Sequence, residues 1–165
     1  ARNHRHRAHA SGGLGPGRVI IRRAGPGDYD TLARIWLESW YSTGLKTLFD
    51  PGLETLRARI PEEVARGWNL YAAEDAGEVI AMLAIHPRAA YLDQLWVAPA
   101  HQGRGIGRAL LAFAREKMPD EIWLRCVVQK VNAWRWYERE GFLFEGEEAV
   151  PPSNMRMKRY RWKRG

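Results

Sequence analysis

The spacing of apolar residues along the chain predicts an alternation of strands and helices. Apolar or alternating runs predict strands at about 18–24, 69–74, 78–86, 91–97, 122–128, 142–149 and 155–162. Apolar residues at helical spacing predict helices at about 29–41, 53–66, 108–118 and 132–140. Glycine and proline mark the boundaries, as in the turn at Asp75-Ala76-Gly77 and at Gly141 after the last helix.

The resulting order, β-α-α-β-β-β-α-β-α-β-β, predicts an α/β fold with a mixed sheet of about seven strands and helices on both faces. The 165 residues are enough for one domain with a sizeable core, which we assign to residues 18–165. Residues 1–17 are rich in His, Arg and Gly and show no periodicity, which predicts a mobile tail. Three histidines in that tail could bind a metal only opportunistically: His4, His6 and His9.

One glycine-rich segment carries most of the functional information. It follows the predicted strand 91–97, which Pro99 ends because proline offers no N–H to a ladder. Gly103, Gly105 and Gly107 then remove Cβ atoms where the chain turns into a helix. Such a turn directs several backbone N–H groups at one point, at the positive end of the helix dipole. The segment therefore predicts an anion site suited to a phosphate or pyrophosphate.

Three kinds of phosphate loop compete for this segment. A P-loop requires Lys-Ser or Lys-Thr after its last glycine, and neither pair follows here. A dinucleotide fingerprint requires Gly-x-Gly-x-x-Gly and an acidic residue after the next strand, and both features are missing. The third pattern, Gln-x-x-Gly-x-Gly, is matched by Gln102, Gly105 and Gly107. A glycine-rich turn without any ligand is disfavoured, because three glycines weaken a helix start unless something must approach the backbone.

A second pattern lies about 30 residues further on, in a helix closed by glycine, and comprises Asn132, Tyr137, Gly141 and Phe142. Taken alone, Asn132 is explained as a helix N-cap and Tyr137 as a packed aromatic. The two patterns in this order, each after a strand and the first preceded by Leu-x-Val-x-Pro, resemble the motifs of the GNAT superfamily. These proteins are acyl-CoA-dependent N-acetyltransferases, and the resemblance covers about residues 19–162.

The resemblance implies a fold and a cofactor site without a metal. The GNAT sheet is mixed and mostly antiparallel, and its fourth and fifth strands splay apart to admit the pantetheine of acetyl-CoA. Main-chain groups of Leu95, Trp96 and Val97 would bind the pantetheine amides, and Asn132 would contact the cofactor arm. The pyrophosphate would lie on the loop, which comprises Gln102, Gly103, Arg104, Gly105, Ile106, Gly107 and Arg108.

The resemblance also implies acetyl transfer to a primary amine, with Tyr137 facing the sulfur as general acid. A thioester is already activated, so an amine can attack it directly, and no acyl-enzyme is needed. Cys126 is accordingly expected to be an inert thiol inside an apolar strand.

The general base is less determined. Asp93 is the only carboxylate in the strand 91–97 and shares side-chain parity with Tyr91, Leu95 and Val97. It could accept the proton of the amine directly or through water, and a solvated Asp without a catalytic role is an equal alternative. Two histidines, His86 and His101, are weaker candidates.

The acceptor is expected to be a small-molecule amine or a peptide or protein amine. We place its site between the first two helices and the turn that joins the last two strands, around Trp36, Trp40, Tyr41 and Phe49. Three glutamates on the late strand could steer a cationic acceptor toward it: Glu145, Glu147 and Glu148.

The formal net charge of +7 arises at the ends of the chain. Residues 19–154 contain 16 Lys and Arg against 19 Asp and Glu, so that segment is near −3. The basic run 156–164 includes Tyr160 and Trp162, which keeps nucleic-acid binding as a weaker alternative, although a charged edge strand is the commoner meaning. A non-catalytic acyl-CoA sensor on the same fold is the other alternative.

Composition also bounds the location. No apolar run approaches the roughly 18 residues of a membrane span, and the basic N-terminus lacks the apolar region of a secretory signal. A single cysteine excludes an internal disulfide and a Cys-rich zinc site, in keeping with a reducing compartment. We therefore expect a cytoplasmic protein, and homodimer formation is left open.

Overall fold

The computed structural model describes residues 19–165, so the predicted tail at 1–17 and its three histidines lie outside the described residues. The elements follow the predicted order, and no boundary moves by more than two residues. They are β1 Val19–Arg23, α1 Tyr29–Ser42, α2 Leu53–Ala65, β2 Asn69–Asp75, β3 Glu78–His86, β4 Tyr91–Val97, α3 Ile106–Lys117, β5 Glu121–Val127, α4 Val131–Arg139, β6 Leu143–Val150 and β7 Met155–Lys163.

The strands form one sheet in the order β1-β2-β3-β4-β5-β7-β6. Every neighbouring pair is antiparallel except β4 and β5, which are parallel. The prediction of a mixed, mostly antiparallel sheet of seven strands is therefore confirmed.

The position of β7 differs from the prediction of a charged edge strand. β7 lies between β5 and β6, and β6 forms the edge of the sheet. Its arginines are tolerated inside the sheet because acidic residues face them across the strands. Arg159 and Arg161 reach Glu145 at 3.4 Å and 3.1 Å, and Arg156 reaches Glu147 at 3.4 Å.

Helices cover both faces of the sheet, as predicted. On one face, α3 and α4 bury Ile106, Leu110 and Tyr137 against the sheet. On the other face, α1 and α2 bury Trp36 and Ile60 together with residues of β2 and β3. Among residues 19–165, no helix is long and apolar enough to cross a membrane.

The entry into α1 is held by an ion pair and not by a capping hydrogen bond. Asp28 occupies the N-cap position, but its carboxylate accepts no bond from the helix. The Asp28 carboxylate instead accepts hydrogen bonds from both Nη atoms of Arg22 at 2.8 Å and from the N–H of Gly25 at 2.8 Å. Arg22 also donates to Glu74 at 2.6 Å, so one guanidinium joins β1, β2 and the start of α1.

Candidate active site

A gap opens between the two parallel strands at the centre of the sheet. β4 and β5 are paired only at Tyr91 and Trp123, near their N-terminal ends. Beyond that point the strands diverge, so the gap widens toward their C-terminal ends. Ligands of open α/β sheets bind at such carboxyl ends. The splay expected from the resemblance is present.

The glycine-rich loop obtains its shape from two left-handed residues. Gly103 has a φ of 77° and Gly105 a φ of 82°, which residues with a Cβ rarely adopt. Gly105 is the N-cap of α3, and the first helical hydrogen bond runs from the Ala109 N–H to its carbonyl. The N–H groups of 106–108 therefore lack helical acceptors, and neither a side-chain cap nor an acid supplies one in the first turn. This electropositive terminus fits a phosphate group.

A cavity of about 960 Å³ extends from this loop along the gap. We call it the donor cavity, after the acyl donor that the sequence resemblance implies. All but one of the expected cofactor residues line it: Leu95, Trp96, Val97, Gln102, Gly103, Gly105, Ile106, Gly107, Arg108, Asn132 and Tyr137. The exception is Arg104, whose guanidinium contacts the Asp75 carboxylate at 3.0 Å and the His101 ring at 2.8 Å. Arg104 and His101 thus hold the loop against β2.

Only some main-chain N–H and C=O groups of β4 face the gap and could bind a ligand there. The Ala98 N–H donates to the Ile80 carbonyl of β3 at 2.8 Å. Because alternate residues of an antiparallel pair face the partner strand, the main chain of Trp96 also faces β3. The main chains of Leu95 and Val97 face the gap. The expectation that Trp96 offers main-chain groups does not hold, and its indole lines the cavity instead.

Gln102 fastens the loop to the end of β4. Its Nε2 donates to the Val97 carbonyl at 3.0 Å, and Ser39 Oγ of α1 donates to the same oxygen at 2.9 Å. The Val97 carbonyl is therefore already used. The Val97 N–H and the main chain of Leu95 are the groups left for a ligand in the gap.

α4 places Asn132 and Tyr137 on the donor cavity. The N-cap of this helix is Lys130, whose carbonyl accepts the N–H groups of Ala133 and Trp134 at 3.1 Å and 3.2 Å. Asn132 lies one residue inside the helix and is exposed, so the alternative that it is simply the N-cap is wrong.

Tyr137 is buried, with 8% of its surface exposed, and its ring packs between Trp136 and Phe142. Burial raises the pKa of its phenol, and Cys126 adds a smaller effect in the same direction. No hydrogen bond from residues 19–165 accounts for the raised pKa of this hydroxyl. Tyr137 therefore lines the cavity and keeps its hydroxyl protonated at neutral pH.

A second cavity, of about 530 Å³, is lined by residues of α1, α2, β4 and β5, and we call it the acceptor cavity after the acceptor site that is expected there. Trp36, Trp40 and Phe49 line it together with the turn 150–153, as the sequence predicts. Trp40 Nε1 donates to the Phe49 carbonyl at 2.6 Å, which fixes the connection between α1 and α2. Tyr41 lies elsewhere, because its hydroxyl donates to the Asp50 carboxylate at 2.6 Å.

The two cavities meet at four shared side chains, which are Leu95, Trp96, Lys130 and Tyr137. The shared boundary lies where β4 and β5 have separated. Molecules in the two cavities would therefore both contact these side chains.

Asp93 lies in a β-bulge of β4. In the register with β3, Ala84 pairs with Gln94 and Ile85 pairs with Leu92. Asp93 is the extra residue between those pairs, and it has no partner on β3. A bulge interrupts the alternation of side chains between the two faces of the sheet. Residues before and after the bulge therefore cannot be assigned to a face by counting in steps of two.

The bulge directs the Asp93 carboxylate toward the α1–α2 face. Its Oδ2 accepts the indole N–H of Trp68 at 2.7 Å, and Trp68 belongs to the core beneath those helices. Leu95 and Val97 pack against the opposite core, so the predicted parity of Asp93 with them is wrong. The carboxylate lines the acceptor cavity.

His86 and Glu63 lie close to this carboxylate and form a cluster with it. His86 Nε2 lies 3.5 Å from Asp93 Oδ2. One nitrogen or oxygen atom from each of Glu63, His86 and Asp93 lies within 4.8 Å of the others. Such a set can pass a proton away from the cavity, and it is also a grouping that could bind a divalent cation. His86, a weaker candidate by sequence, thus lies directly behind Asp93.

Two cations of the acceptor cavity were not singled out by the sequence. Arg125 on β5 lines this cavity, and its signal is that it is the one charged residue in the apolar run 122–128. Lys130 lies at the shared boundary, with Nζ 4.1 Å from the centroid of the Trp96 ring. Burial lowers the pKa of Lys130. Its sequence position, in a short turn before α4, gives no such signal.

The remaining candidates are structural. Cys126 is buried, and burial raises the pKa of its thiol, in agreement with an inert residue. The three glutamates of β6 do not offer free charge for steering, because each faces an arginine: Glu145, Glu147 and Glu148. The same ion pairs neutralise much of the basic run 156–164, which weakens the nucleic-acid alternative.

This fold, with a phosphate-type loop beside a splayed parallel pair, can be compared with known proteins. Residues 29–142 match the acetyltransferase (GNAT) family. A probable N-acetyltransferase of Mycobacterium tuberculosis is 30% identical over 150 residues, which cover 79% of this chain and 83% of the relative. The chain therefore belongs to the GNAT family of acetyltransferases.

Solved structures share the fold. A putative GNAT acetyltransferase from Desulfovibrio desulfuricans matches with a TM-score of 0.70 and 22% identity, over 88% of this chain and 98% of its own. The PaiA N-acetyltransferase of Thermoplasma acidophilum, solved in complex with coenzyme A, matches with a TM-score of 0.68 and 21% identity, over 88% and 99%. At these identities the likeness concerns the fold, and it confirms the predicted GNAT architecture.

Proposed function

We propose that this protein transfers an acetyl group from acetyl-CoA to a primary amine by direct attack of the amine on the thioester. The observation that carries the proposal is that Tyr137 lines both cavities. One cavity ends at an anion-binding loop, and the other has aromatic walls. A donor in the first and an acceptor in the second would meet at the Tyr137 hydroxyl.

The residues of the donor cavity fit acetyl-CoA. The N–H groups of 106–108 suit its pyrophosphate, and the exposed guanidinium of Arg108 lies in the same turn. The main chain of Leu95 and the Val97 N–H suit the amides of the pantetheine, and Asn132 borders the same arm. The fold neighbour from Thermoplasma acidophilum was solved with coenzyme A, which supports this choice.

The chemistry needs a proton acceptor for the amine and a proton donor for the thiolate. Asp93 is positioned to accept the amine proton and to share it with His86, 3.5 Å away. Tyr137 is the proposed donor, because its raised pKa keeps the hydroxyl protonated at neutral pH. An acyl-enzyme is not required, since the one cysteine is buried and stays a thiol.

The proposal is tested by incubating the protein with acetyl-CoA and a library of primary amines while following thiol release. We expect amine-dependent release of coenzyme A and an N-acetyl product of matching mass. The control omits the amine and measures thioester hydrolysis. Calorimetric binding of acetyl-CoA without transfer to any amine would contradict the proposal and support a non-catalytic acyl-CoA sensor. The cytoplasmic location and a homodimer stay predictions.

A further inference from the structure

The lining of the acceptor cavity contains more cationic side chains than carboxylates, and Glu148, which lies 3.7 Å from Arg125, is outside that lining. Its lining includes three cations, Arg59, Arg125 and Lys130, and two carboxylates, Glu63 and Asp93. An acceptor whose only charge is a cationic amine gains little from such a lining. The imbalance favours an acceptor that carries a negative group as well as its amine.

Arg125 has unused hydrogen-bonding capacity on the acceptor side. A guanidinium offers five N–H groups, yet Arg125 Nε is buried without a hydrogen-bond partner among the described residues. Its Nη2 reaches the Tyr91 hydroxyl only at 3.4 Å, and its Nη1 lies 3.7 Å from the Glu148 carboxylate. The side chain is 28% exposed, so solvent satisfies it incompletely. An anion that enters the cavity would not reach the buried Nε, but it could accept hydrogen bonds from the two Nη groups, whose present contacts are long.

The other two cations are placed differently. Arg59 lies against the Trp36 ring and 3.7 Å from the Glu63 carboxylate. Lys130 lines both cavities and rests on Trp96 at the donor end. Arg59 and Arg125 both line only the acceptor cavity, and Arg125 differs from Arg59 in having a guanidinium nitrogen without a hydrogen-bond partner within residues 19–165. We therefore assign to Arg125 the contact with a group of the acceptor that lies away from the reacting amine.

The walls define the rest of the acceptor. Trp36, Trp40, Phe49, Met155 and Met157 form aromatic and flexible apolar surfaces around the cavity. We propose that the acceptor is an amino acid, or a compound with the same amine and carboxylate, that carries an apolar or aromatic side chain, and that Arg125 binds its carboxylate. A carboxylate pairs with a guanidinium through two parallel hydrogen bonds, which gives orientation as well as affinity. The inference rests on the proposed function.

The test compares acceptors that differ only in the carboxylate. kcat/KM is measured for phenylalanine against phenethylamine and for methionine against 3-(methylthio)propylamine, with spermidine as a carboxylate-free polyamine. We expect the kcat/KM of each amino acid to exceed that of its decarboxylated partner by about 10- to 100-fold. The difference should lie mainly in KM, because the two acceptors differ by one charge-assisted contact. Equal or better transfer to the decarboxylated amines or to spermidine would overturn the inference and leave the proposed function intact.

Variants assign the effect to Arg125. Arg125→Gln should reduce the ratio of the two kcat/KM values toward one, and Arg125→Lys should restore part of it because the charge returns. The matched control is Arg159→Gln: Arg159 lies 4.1 Å from the Trp123 ring on the same sheet and does not line the cavity, so the ratio should not change. A purely structural Arg125 would lower both kcat/KM values equally and leave the ratio unchanged, which would overturn the assignment. Transfer to no amine at all would overturn the proposed function and this inference together.

Discussion

At the scale of single residues, Lys130 lies where stability alone would not place a lysine. It is the N-cap of α4, a position that favours Ser, Thr, Asp or Asn. A cation there faces the positive end of the helix dipole. The side chain is half-buried, its ammonium rests on the Trp96 ring, and no ion pair with residues 19–165 compensates it. Such a position is typical of a residue retained for function.

We expect Lys130→Met to stabilise the protein by about 1 kcal/mol at pH 7, because it removes a desolvated cation from a helix N-terminus. Burial lowers the pKa of Lys130, so the penalty of the charge is complete below its folded pKa. The penalty fades as the pH rises toward about 10.4, the ordinary lysine value. The gain in melting temperature should therefore be present at pH 7 and small at pH 10.

The matched control is Lys163→Met, which removes an exposed lysine at the end of β7 and should change the melting temperature little. A lower melting temperature for Lys130→Met at pH 7 would show that the charge is favourable where it lies.

Asp93 allows a charge to be removed while its hydrogen bond is kept. In Asp93→Asn the side-chain oxygen can still accept the Trp68 indole N–H. We expect kcat/KM to fall by about 100-fold and the acidic limb of its pH profile to disappear, since the proton acceptor is lost. Asp120→Asn, at an exposed position outside both cavities, is the control. An unchanged acidic limb would instead indicate a water chain or an amine that binds already neutral.

At the scale of elements, the loop before α3 determines donor binding. Gly107→Glu places a carboxylate beside the N–H groups that suit a phosphate, so acetyl-CoA affinity measured by calorimetry should be abolished. Gly107→Ala isolates the effect of a Cβ, which would meet Trp136 and Leu95 at ordinary contact distances of 3.8 Å and 3.9 Å. Gly27→Glu adds the same charge where nothing lies within 4 Å. Equal affinity in all three variants would contradict the phosphate site.

The junction of β1, β2 and α1 predicts a pH-dependent contribution to stability. The Arg22 guanidinium lowers the pKa of Asp28 through hydrogen bonds. A carboxylate with a lowered pKa stabilises the fold above its unfolded value of about 3.9, and that stability is lost as the pH falls through the folded pKa.

Asp28→Asn should therefore cost about 1 kcal/mol at pH 7, a modest value because Arg22 is 36% exposed. The difference from the unmutated protein should shrink in denaturant titrations as the pH falls below about 3.9 and should be lost as it passes the lowered folded pKa of Asp28. Glu54→Gln, which removes a highly exposed carboxylate from α2, is the control. A cost that persists unchanged at pH 2 would contradict the electrostatic explanation.

Local patterns predicted the elements because helix and strand periods are properties of short segments. The glycine-rich loop was predictable for the same reason, since its geometry depends on Gly103 and Gly105 themselves. The bulge at Asp93 was not predictable, because it depends on the pairing of β4 with β3. The insertion of β7 between β5 and β6 is likewise a long-range pairing.

The site residues also fall into two groups, those that a short segment places and those that depend on long-range pairing. The expected cofactor residues line the donor cavity, except Arg104, because one loop and one helix carry them. Tyr41 misses the acceptor cavity because the side chains of α1 that reach it are one turn apart, at Trp36 and Trp40. Arg125 joins this cavity only because the strands splay. Its charge inside an apolar run was the available signal.

At the scale of the whole molecule, two cavities lie beside the splayed strands β4 and β5 and share part of their lining. The loop before α3, α4 and the C-terminal end of α1 line the donor cavity, and α1, α2 and the turn before β7 line the acceptor cavity. We propose that acetyl transfer occurs beside the side chains that both cavities share, at Tyr137. In this proposal the Tyr137 hydroxyl, and not merely its ring, acts on the leaving thiolate.

The most direct test is the rate of acetyl transfer by Tyr137→Phe, with Tyr71→Phe as control because Tyr71 is also buried but lines neither cavity. We predict that kcat falls by about 100-fold or more in the first variant, while acetyl-CoA binding is retained and the control is unaffected. The loss should shrink with an acyl donor whose leaving thiol has a lower pKa. Full activity of Tyr137→Phe with acetyl-CoA would contradict the proposed role of the Tyr137 hydroxyl as proton donor.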